Sequence, residues 1–535
     1  MLTSVKRHRF RDADSLIQLH ETLLFLRAYP ANSRIAVLSD SLLESFVRRI
    51  ETLQQSGADT SALEVPEISG IDGTIVSDTF SFNLVRWLRD RHPSQISFDW
   101  KWFEDENRLA QTWPRFMPLL EEDAFVEANV PYRSWLRAAR NGQRDVAWLV
   151  RQFERLPMSD SERAELYDSL KLYVLWKPSY RATRTGMRLR VNKLFYHRQA
   201  LIQRREIDLR DELERSPAEL ERLSPQQGRR ILDAARETSI LRYRELYGFT
   251  HGDEKRVLRA HLGRGVDLFV MGIPPQRRLP LRSYHAAMIF KNGVPVGYFE
   301  GLSLCERMES GFNLYYGFRE GETAWIYART LNVFRHLLKV TSFSLDPYQI
   351  GHENDEGIES GAFWFYRKLG FRPTRRKLLS LTETEEQKLA KRKSYRTPAR
   401  LLRQLATGPM IFELDQKTSG DWDEFVLREI GLAVQRRMAA NYRGSSKKMR
   451  DASVALLCKR LGKRLSDFSQ SEKIPLSDFA VALSEYPGLN HWSQSDLQGL
   501  VKIIRAKAGP DEARYLKLTQ RHKRLREVLI KMGSS

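Results

Sequence analysis

The sequence predicts an α/β domain with a mixed, mostly antiparallel sheet, embedded between mainly helical regions. Three observations carry this. In YHAAMIFKNGVPVGYFEG two strand-like runs flank Asn292-Gly293, a pair that supplies the left-handed backbone of a tight hairpin turn. From 284 to 380 strand-like runs alternate with helical ones. Upstream, helical runs begin behind serine caps, and downstream the chain is again helical in pattern.

In chain order, residues 1–99 form a mixed or helical region. SLIQLHETLLFLRAY and LSDSLLESFVRRIETLQQ have helical periodicity, whereas ISGIDGTIVSDTFSFNLVRWLRDRH mixes turn glycines with β-formers and suits short strands. Residues 100–245 read as a helical region. Ser159 with Glu162, Ser216 with Pro217 and Glu219, and Ser224 with Pro225 and Gln227 each resemble a helix start, where the serine oxygen takes an otherwise unpaired amide hydrogen. Residues 246–380 form the α/β domain. After the hairpin comes a third strand in GFNLYYGF (Gly311 to Phe318), then a helix over EGETAWIYARTLNVFRHLLKV, with Ala324, Ala328, Leu331 and Leu338 on one face. A short strand in VTSFSLDPY and a helix over GAFWFYRKLGF stopped by Gly370 follow, and RPTRRKLLSL is a candidate returning strand. Residues 381–420, rich in Lys and Arg from Lys388 to Arg403, read as a basic linker, and residues 421–535 as a basic helical domain.

At 535 residues, 41% hydrophobic and 10% aromatic, the chain favours several folded domains over disorder. With 88 Lys+Arg against 67 Asp+Glu its net charge is +21, which attracts nucleic acid, anionic membranes and phosphorylated small molecules alike. Cys305 and Cys458 make neither a metal-ligand spacing nor a disulfide framework, so a reducing compartment is the simpler fit and no metal is expected. The basic start has no apolar stretch behind it, and no run of about 18 apolar residues occurs. A soluble, cytoplasmic protein without a membrane span is the expectation.

Strand, Asn-Gly turn, strand, strand, helix, strand, then a helix bearing FYRKLGF: this order over roughly 280–380 resembles the acyl-CoA-binding core of the GNAT acyltransferase superfamily. In that family a central strand splays from its neighbour, the pantetheine arm lies in the gap, and a turn and the following helix wrap the pyrophosphate. The resemblance places that turn at Phe318, Arg319, Glu320, Gly321, Thr323 and Ala324, and implies acetyl-CoA or another acyl-CoA as donor. A helix start is a sound place for phosphate, because its free amide hydrogens and partial positive charge face outward. Arg319 and Ala324 match the family's turn pattern; Glu322 stands where the pattern has glycine, with Gly321 one position earlier.

The same resemblance makes Tyr366 the candidate general acid, protonating the leaving thiolate. Read from the residues alone, Tyr366 shares a helix face with Ala362 and Leu369 and suits a core tyrosine equally well. Glu359 stands where the family carries asparagine. Candidate bases are Glu300, which follows the GVPVGYF strand, Glu306, Glu309, His352, Glu353 and Glu356, with Glu300 and His352 put first. Tyr348 and Gln349, with the carboxylates of Glu353, Glu356 and Glu359, are candidates for the acceptor pocket; the alternative is a solvated acidic loop.

From Gln435 to Leu465 ten Lys or Arg residues accompany one acidic residue. Arg436, Arg437, Lys447, Lys448, Arg450, Lys459, Arg460, Lys463 and Arg464 suit a phosphate backbone, or simply a solvated cationic face. The functional expectation is acyl transfer from acyl-CoA to a small-molecule or protein amine. The alternative is a nucleic-acid-binding protein with a non-catalytic GNAT-like scaffold.

Overall fold

The computed structural model describes residues 5, 8–66, 68–103, 105–484 and 486–534. The basic start read above lies partly outside them. Buried apolar side chains condense into two cores. The smaller draws on residues 76–182 together with Ile240 and Leu241. Its three strands, β1 (Val76–Asp78), β2 (Ile96–Phe98) and β3 (Val174–Trp176), form a sheet in the order β1-β3-β2, antiparallel throughout. This core crosses the boundary expected near residue 99. Nor is 100–245 uniformly helical: Val174 and Trp176 alternate into the core and make β3 the central strand, and 187–203 contains no helix or strand.

The serine caps divide. Ser159 and Ser224 close capping boxes at the starts of Asp160–Ser169 and Pro225–Ile240. The Ser216-Pro217-Glu219 signal does not start a helix; Leu220–Arg222 becomes an edge strand, β4. A cap contributes only about 1 kcal/mol, and here antiparallel pairing with the open edge of the next strand prevails.

The larger core surrounds a nine-stranded sheet. Its remaining strands are β5 (Val257–Gly263), β6 (Val266–Met271), β7 (Ser283–Lys291), β8 (Val294–Leu304), β9 (Arg307–Leu314), β10 (Ser342–Leu345), β11 (Arg372–Pro373) and β12 (Met410–Glu413), in the order β11-β12-β10-β9-β8-β7-β6-β5-β4. Every neighbouring pair is antiparallel except β9 and β10, so the sheet is mixed and mostly antiparallel, as expected. The β7–β8 hairpin turns through Asn292 and Gly293 at φ 48° and 80°, the left-handed backbone that this pair accommodates.

Two helices matter most for the centre of this sheet, α1 (Ala13–Ala28) and α2 (Thr323–Leu338). α2 links β9 to β10 and lies on the face bearing Phe299 and Phe312: Phe334 stacks on Phe299 at 4.8 Å and Tyr327 meets Phe312 at 4.9 Å. A shorter helix, α3 (Ala362–Arg367), precedes Gly370, whose φ of 100° ends that segment.

Three readings of this stretch are corrected. β9 ends at Leu314, and Tyr316–Phe318 is a helical turn, not strand. RPTRRKLLSL contributes only Arg372–Pro373 to the sheet; Arg376–Lys391 is a helix, because Leu378, Thr382 and Glu385 recur at helical spacing and are buried. Residues 381–420 are not a linker: they hold the rest of that helix, another at Ala399–Leu405, and β12, inserted between β10 and β11. The apolar run Met410-Ile411-Phe412 secures that insertion by burial.

Residues beyond 421 are helical, beginning with α4 (Leu427–Tyr442) and α5 (Ser446–Leu461). The last helices dock on the sheet. Trp422 Nε1 donates to Glu306 at 2.8 Å, Lys507 Nζ to the Arg282 carbonyl at 2.7 Å, and Gln520 Nε2 to the carbonyls of Cys305 and Leu338 at 3.1 and 2.9 Å. Among the described residues no helix is long and apolar enough to cross a membrane. Cys305 and Cys458 are buried free thiols.

Candidate functional site

β9 and β10 are paired for only three residues, Arg307–Glu309 against Ser342–Ser344; β10 ends one residue later, at Leu345, while β9 runs on to Leu314 without a partner on that side. The register decides which groups face the resulting fork. The Tyr315 N–H donates to the Val296 carbonyl, so alternate residues Asn313, Gly311 and Glu309 bond to β8. The peptide groups of Ser310, Phe312 and Leu314 therefore point to the other side. Two side chains take carbonyls there: Gln349 Nε2 donates to Phe312 at 2.8 Å, and Arg319 Nε to Leu314 at 3.1 Å.

Gln349 Nε2 also lies 2.9 Å from the Tyr366 hydroxyl. A carbonyl only accepts, so Phe312 fixes the amide orientation, and the tyrosine oxygen is the acceptor. Its own proton is not spent on Gln349. Tyr366 sits on α3, 2% exposed, edge-on to Tyr327 at 5.4 Å and to Phe371 at 5.8 Å. Burial pushes its phenol well above the ordinary tyrosine range, which keeps it protonated.

Across the β8–β9 ladder Glu300 pairs with Gly311 and accepts a hydrogen bond from the Tyr284 hydroxyl. Burial raises the Glu300 carboxyl above the usual carboxylate value, against the opposing pull of that hydrogen bond. A Cβ on Gly311 would find Gln349 Oε1 and Glu300 Cβ at 3.9 Å, so the glycine leaves a floor between the two side chains. The neighbouring groups are polar. Arg244 Nη1 donates to the Tyr298 hydroxyl at 3.0 Å, and Asn313 Nδ2 approaches the same oxygen at 3.4 Å. Glu356 is ion-paired to Arg319 and lies 3.7 Å from Arg244.

The fork thus gathers Tyr366, Gln349 and Arg319, with Glu356 paired to Arg319 and Glu300 beside Gly311. Tyr348, His352, Glu353 and Glu359 are exposed, and no side-chain contact joins them to this group. Sequence reasoning missed Tyr284, Tyr298, Asn313 and Arg244. Strand alternation was the usable signal for two of them, since Tyr298 and Glu300 are two apart on β8, and Gly311 and Asn313 two apart on β9. Arg244 is distant in sequence and carried no local signal.

The 318–324 turn is built differently from a phosphate cradle. Phe318 and Ala324 are buried, Glu320 is exposed, and the Thr323 hydroxyl donates to the Arg319 carbonyl at 2.8 Å. Glu322, 0% exposed, sits at the start of α2. It accepts from Lys291 Nζ at 3.2 Å, from the Ile202 N–H at 3.2 Å, and from Arg264. Lys291 is equally buried; its ammonium lies 4.6 Å from the centre of the Tyr29 ring and donates to the Arg264 carbonyl at 2.6 Å. Burial brings the Lys291 pKa down to about 8, with Glu322 working against that fall. Burial also opposes the charge on Glu322, but the Arg264 hydrogen bond and Lys291 together hold its carboxyl below the usual value. The end of α1 closes the approach: a Cβ on Gly321 would lie 2.5 Å from the Tyr29 hydroxyl, and one on Gly317 2.3 Å from Glu21 Oε2. These residues do not fit a pyrophosphate. Glu322 makes no capping bond to the α2 amides; its carboxylate is committed to Lys291, Arg264 and Ile202 beside the helix start, and a phosphate-sized anion there would meet its charge.

Among the described residues no three His, Cys, Asp or Glu side chains gather as metal ligands. Compared with known proteins, the chain matches no family model, no curated protein and no solved structure.

Proposed function

We propose that the α/β unit is a GNAT-type acyltransferase that moves an acyl group, acetyl in the simplest case, from a thioester to an amine at the β9–β10 fork. The observation that carries the reading is the end of pairing between these two strands after three residue pairs, with Tyr366 and Glu300 beside the opening.

The residues divide the work as follows. The amine stands over Gly311 and attacks the acyl carbon, and its proton passes to Glu300, whose pKa burial raises, making it a stronger base than an ordinary carboxylate. Negative charge growing on the carbonyl oxygen meets the peptide N–H groups that β9 aims into the fork. The acyl–sulfur bond breaks, and Tyr366 supplies the proton to the departing thiolate. A new acyl–nitrogen bond replaces the thioester.

Because the 318–324 turn does not fit a pyrophosphate, the reading assigns donor recognition to the fork itself. Acetyl-CoA and S-acetyl-pantetheine, which lacks the nucleotide, should then be used with kcat/KM within about tenfold of each other, since uniform binding to the nucleotide is missing. The test is release of free thiol from each donor in the presence of a panel of primary amines. Release from neither donor above the uncatalysed rate overturns the acyltransferase reading. Strong preference for acetyl-CoA overturns the assignment of donor recognition to the fork.

A further inference from the structure

We propose that α4 and α5 form a binding surface for double-stranded nucleic acid, read through its phosphate backbone and independent of base sequence. This rests on different residues from the acyltransferase reading and stands or falls separately.

α4 is sixteen residues long, yet only Ile430 of it is buried. Its exposed side presents Arg428, Gly431, Leu432, Gln435, Arg436, Ala439, Ala440 and, at the turn, Arg443. Arg443 and Gly444 both have left-handed backbone, φ 51° and 77°, and reverse the chain into α5, whose first turn is capped by Ser445. On α5 the exposed residues Lys448, Ala452, Ala455 and Lys459 recur at helical spacing and form one stripe, extended by Lys463 just past the helix end. Lys448 and Lys459 are thus about 16 Å apart along the axis at 1.5 Å per residue.

Some basic residues here are spent internally. Lys447 pairs with Asp451 at 3.3 Å, Arg450 with Asp478 at 3.5 Å and Arg464 with Asp467 at 3.7 Å. Arg437 donates to the Tyr442 hydroxyl at 3.0 Å. Among the described residues, however, no carboxylate pairs with Arg428, Arg436, Arg443, Lys448, Lys459, Arg460 or Lys463. Seven uncompensated cations on two neighbouring helices call for an extended, regularly charged anion.

A protein partner suits the surface less well: Leu432, Leu456 and Leu465 are exposed there, but the surface is rich in lysine, in which protein interfaces are poor, and it lacks the aromatic anchors on which they rely. The one aromatic residue between 427 and 465 is Tyr442, whose ring lies 5.4 Å from the Arg437 guanidinium. The same lack of a stacking platform disfavours single strands, which are held largely by base–aromatic stacking.

The experiment uses the full chain and fluorescence anisotropy with a labelled mixed-sequence duplex about two helical turns long. Binding should be detectable at about 50 mM salt and should weaken linearly on a log–log plot as salt rises. Replacing Arg436, Lys448, Lys459 and Lys463 together by Gln should weaken binding at least about tenfold and make the salt slope shallower by about 3–4, near 0.9 for each lost phosphate contact. A control with the exposed Lys101, Arg155, Lys171 and Lys339 changed to Gln should keep the wild-type slope. An unchanged melting temperature certifies that the fourfold variant is folded. No duplex binding by the wild type, or equal losses in both variants, overturns the proposal. So does equally tight binding of an oligo-dT strand or a polyglutamate peptide of the same charge.

Discussion

Changing Glu322 to Gln keeps the side chain's shape and removes its charge. Lys291 would then stand fully buried with the Arg264 carbonyl but without a carboxylate. Removing one partner of a buried ion pair costs about 3–5 kcal/mol. A second route sets a ceiling: the lysine can shed its proton in the folded state, and because its wild-type pKa is already down at about 8, doing so at pH 7 costs only about 1.4 kcal/mol more than in the wild type. The cheaper route prevails, so the expected loss at pH 7 is about 1.4 kcal/mol. The sign with pH follows. In the variant the unfolded state binds the Lys291 proton more tightly across neutral pH, so stability rises as pH is raised. In the wild type, with the Lys291 pKa at about 8, this contribution is nearly flat below that value and rises only above it. The deficit of the variant should therefore shrink by up to about 1.4 kcal/mol between pH 7 and 8. Equilibrium urea unfolding followed by tryptophan fluorescence at the two pH values reads both effects. The double change Lys291→Met with Glu322→Leu should recover most of the loss, since removing a buried pair whole is often near neutral. A cost below about 1 kcal/mol for Glu322→Gln refutes the reasoning: the carboxylate would not be structural.

Other outcomes follow from the fork. The rate of thiol release should fall on the acid side with an apparent pKa above the ordinary glutamate value, because Glu300 must be deprotonated to accept the amine proton and burial raises its pKa; Glu300→Gln should remove that limb along with most of the rate. Gly311→Ala should leave stability unchanged or improve it by about 0.5 kcal/mol, since a strand glycine is costly and its Cβ would meet nothing closer than 3.9 Å. Gly311→Val should fold as well but lose thiol release, because its methyl groups enter the space between Glu300 and Gln349.

The fold was legible where local chemistry and tertiary context agree. Asn292-Gly293 requires left-handed backbone in any setting, and Ser159 and Ser224 cap helices that their sequences already favour. It was illegible where a distant partner decides. Leu220–Arg222 is a strand because β5 offers an edge, and Met410–Glu413 is a strand because β10 and β11 leave a place between them; neither fact is local. The surrounding Lys and Arg residues masked β12 as a linker. Of the residues at the fork, Tyr366, Gln349 and Glu300 were already candidates in the sequence, Tyr366 through the family resemblance. The role of Glu322 was not, because its partners Lys291, Arg264 and Ile202 come from three other segments. Its mismatch with the turn pattern was the visible sign of a local rule broken for a tertiary reason.

The most direct measurement of the central claim, that the β9–β10 fork is the reaction centre, is kcat for thiol release by Tyr366→Phe, with unfolding free energy taken on the same preparation. The change keeps the ring packed against Tyr327 and Phe371 and leaves Gln349 its bond to Phe312, removing only the hydroxyl. The account predicts a fall in kcat of roughly ten- to ten-thousandfold with a stability loss no greater than about 1–3 kcal/mol. A folded Phe variant with wild-type kcat contradicts it.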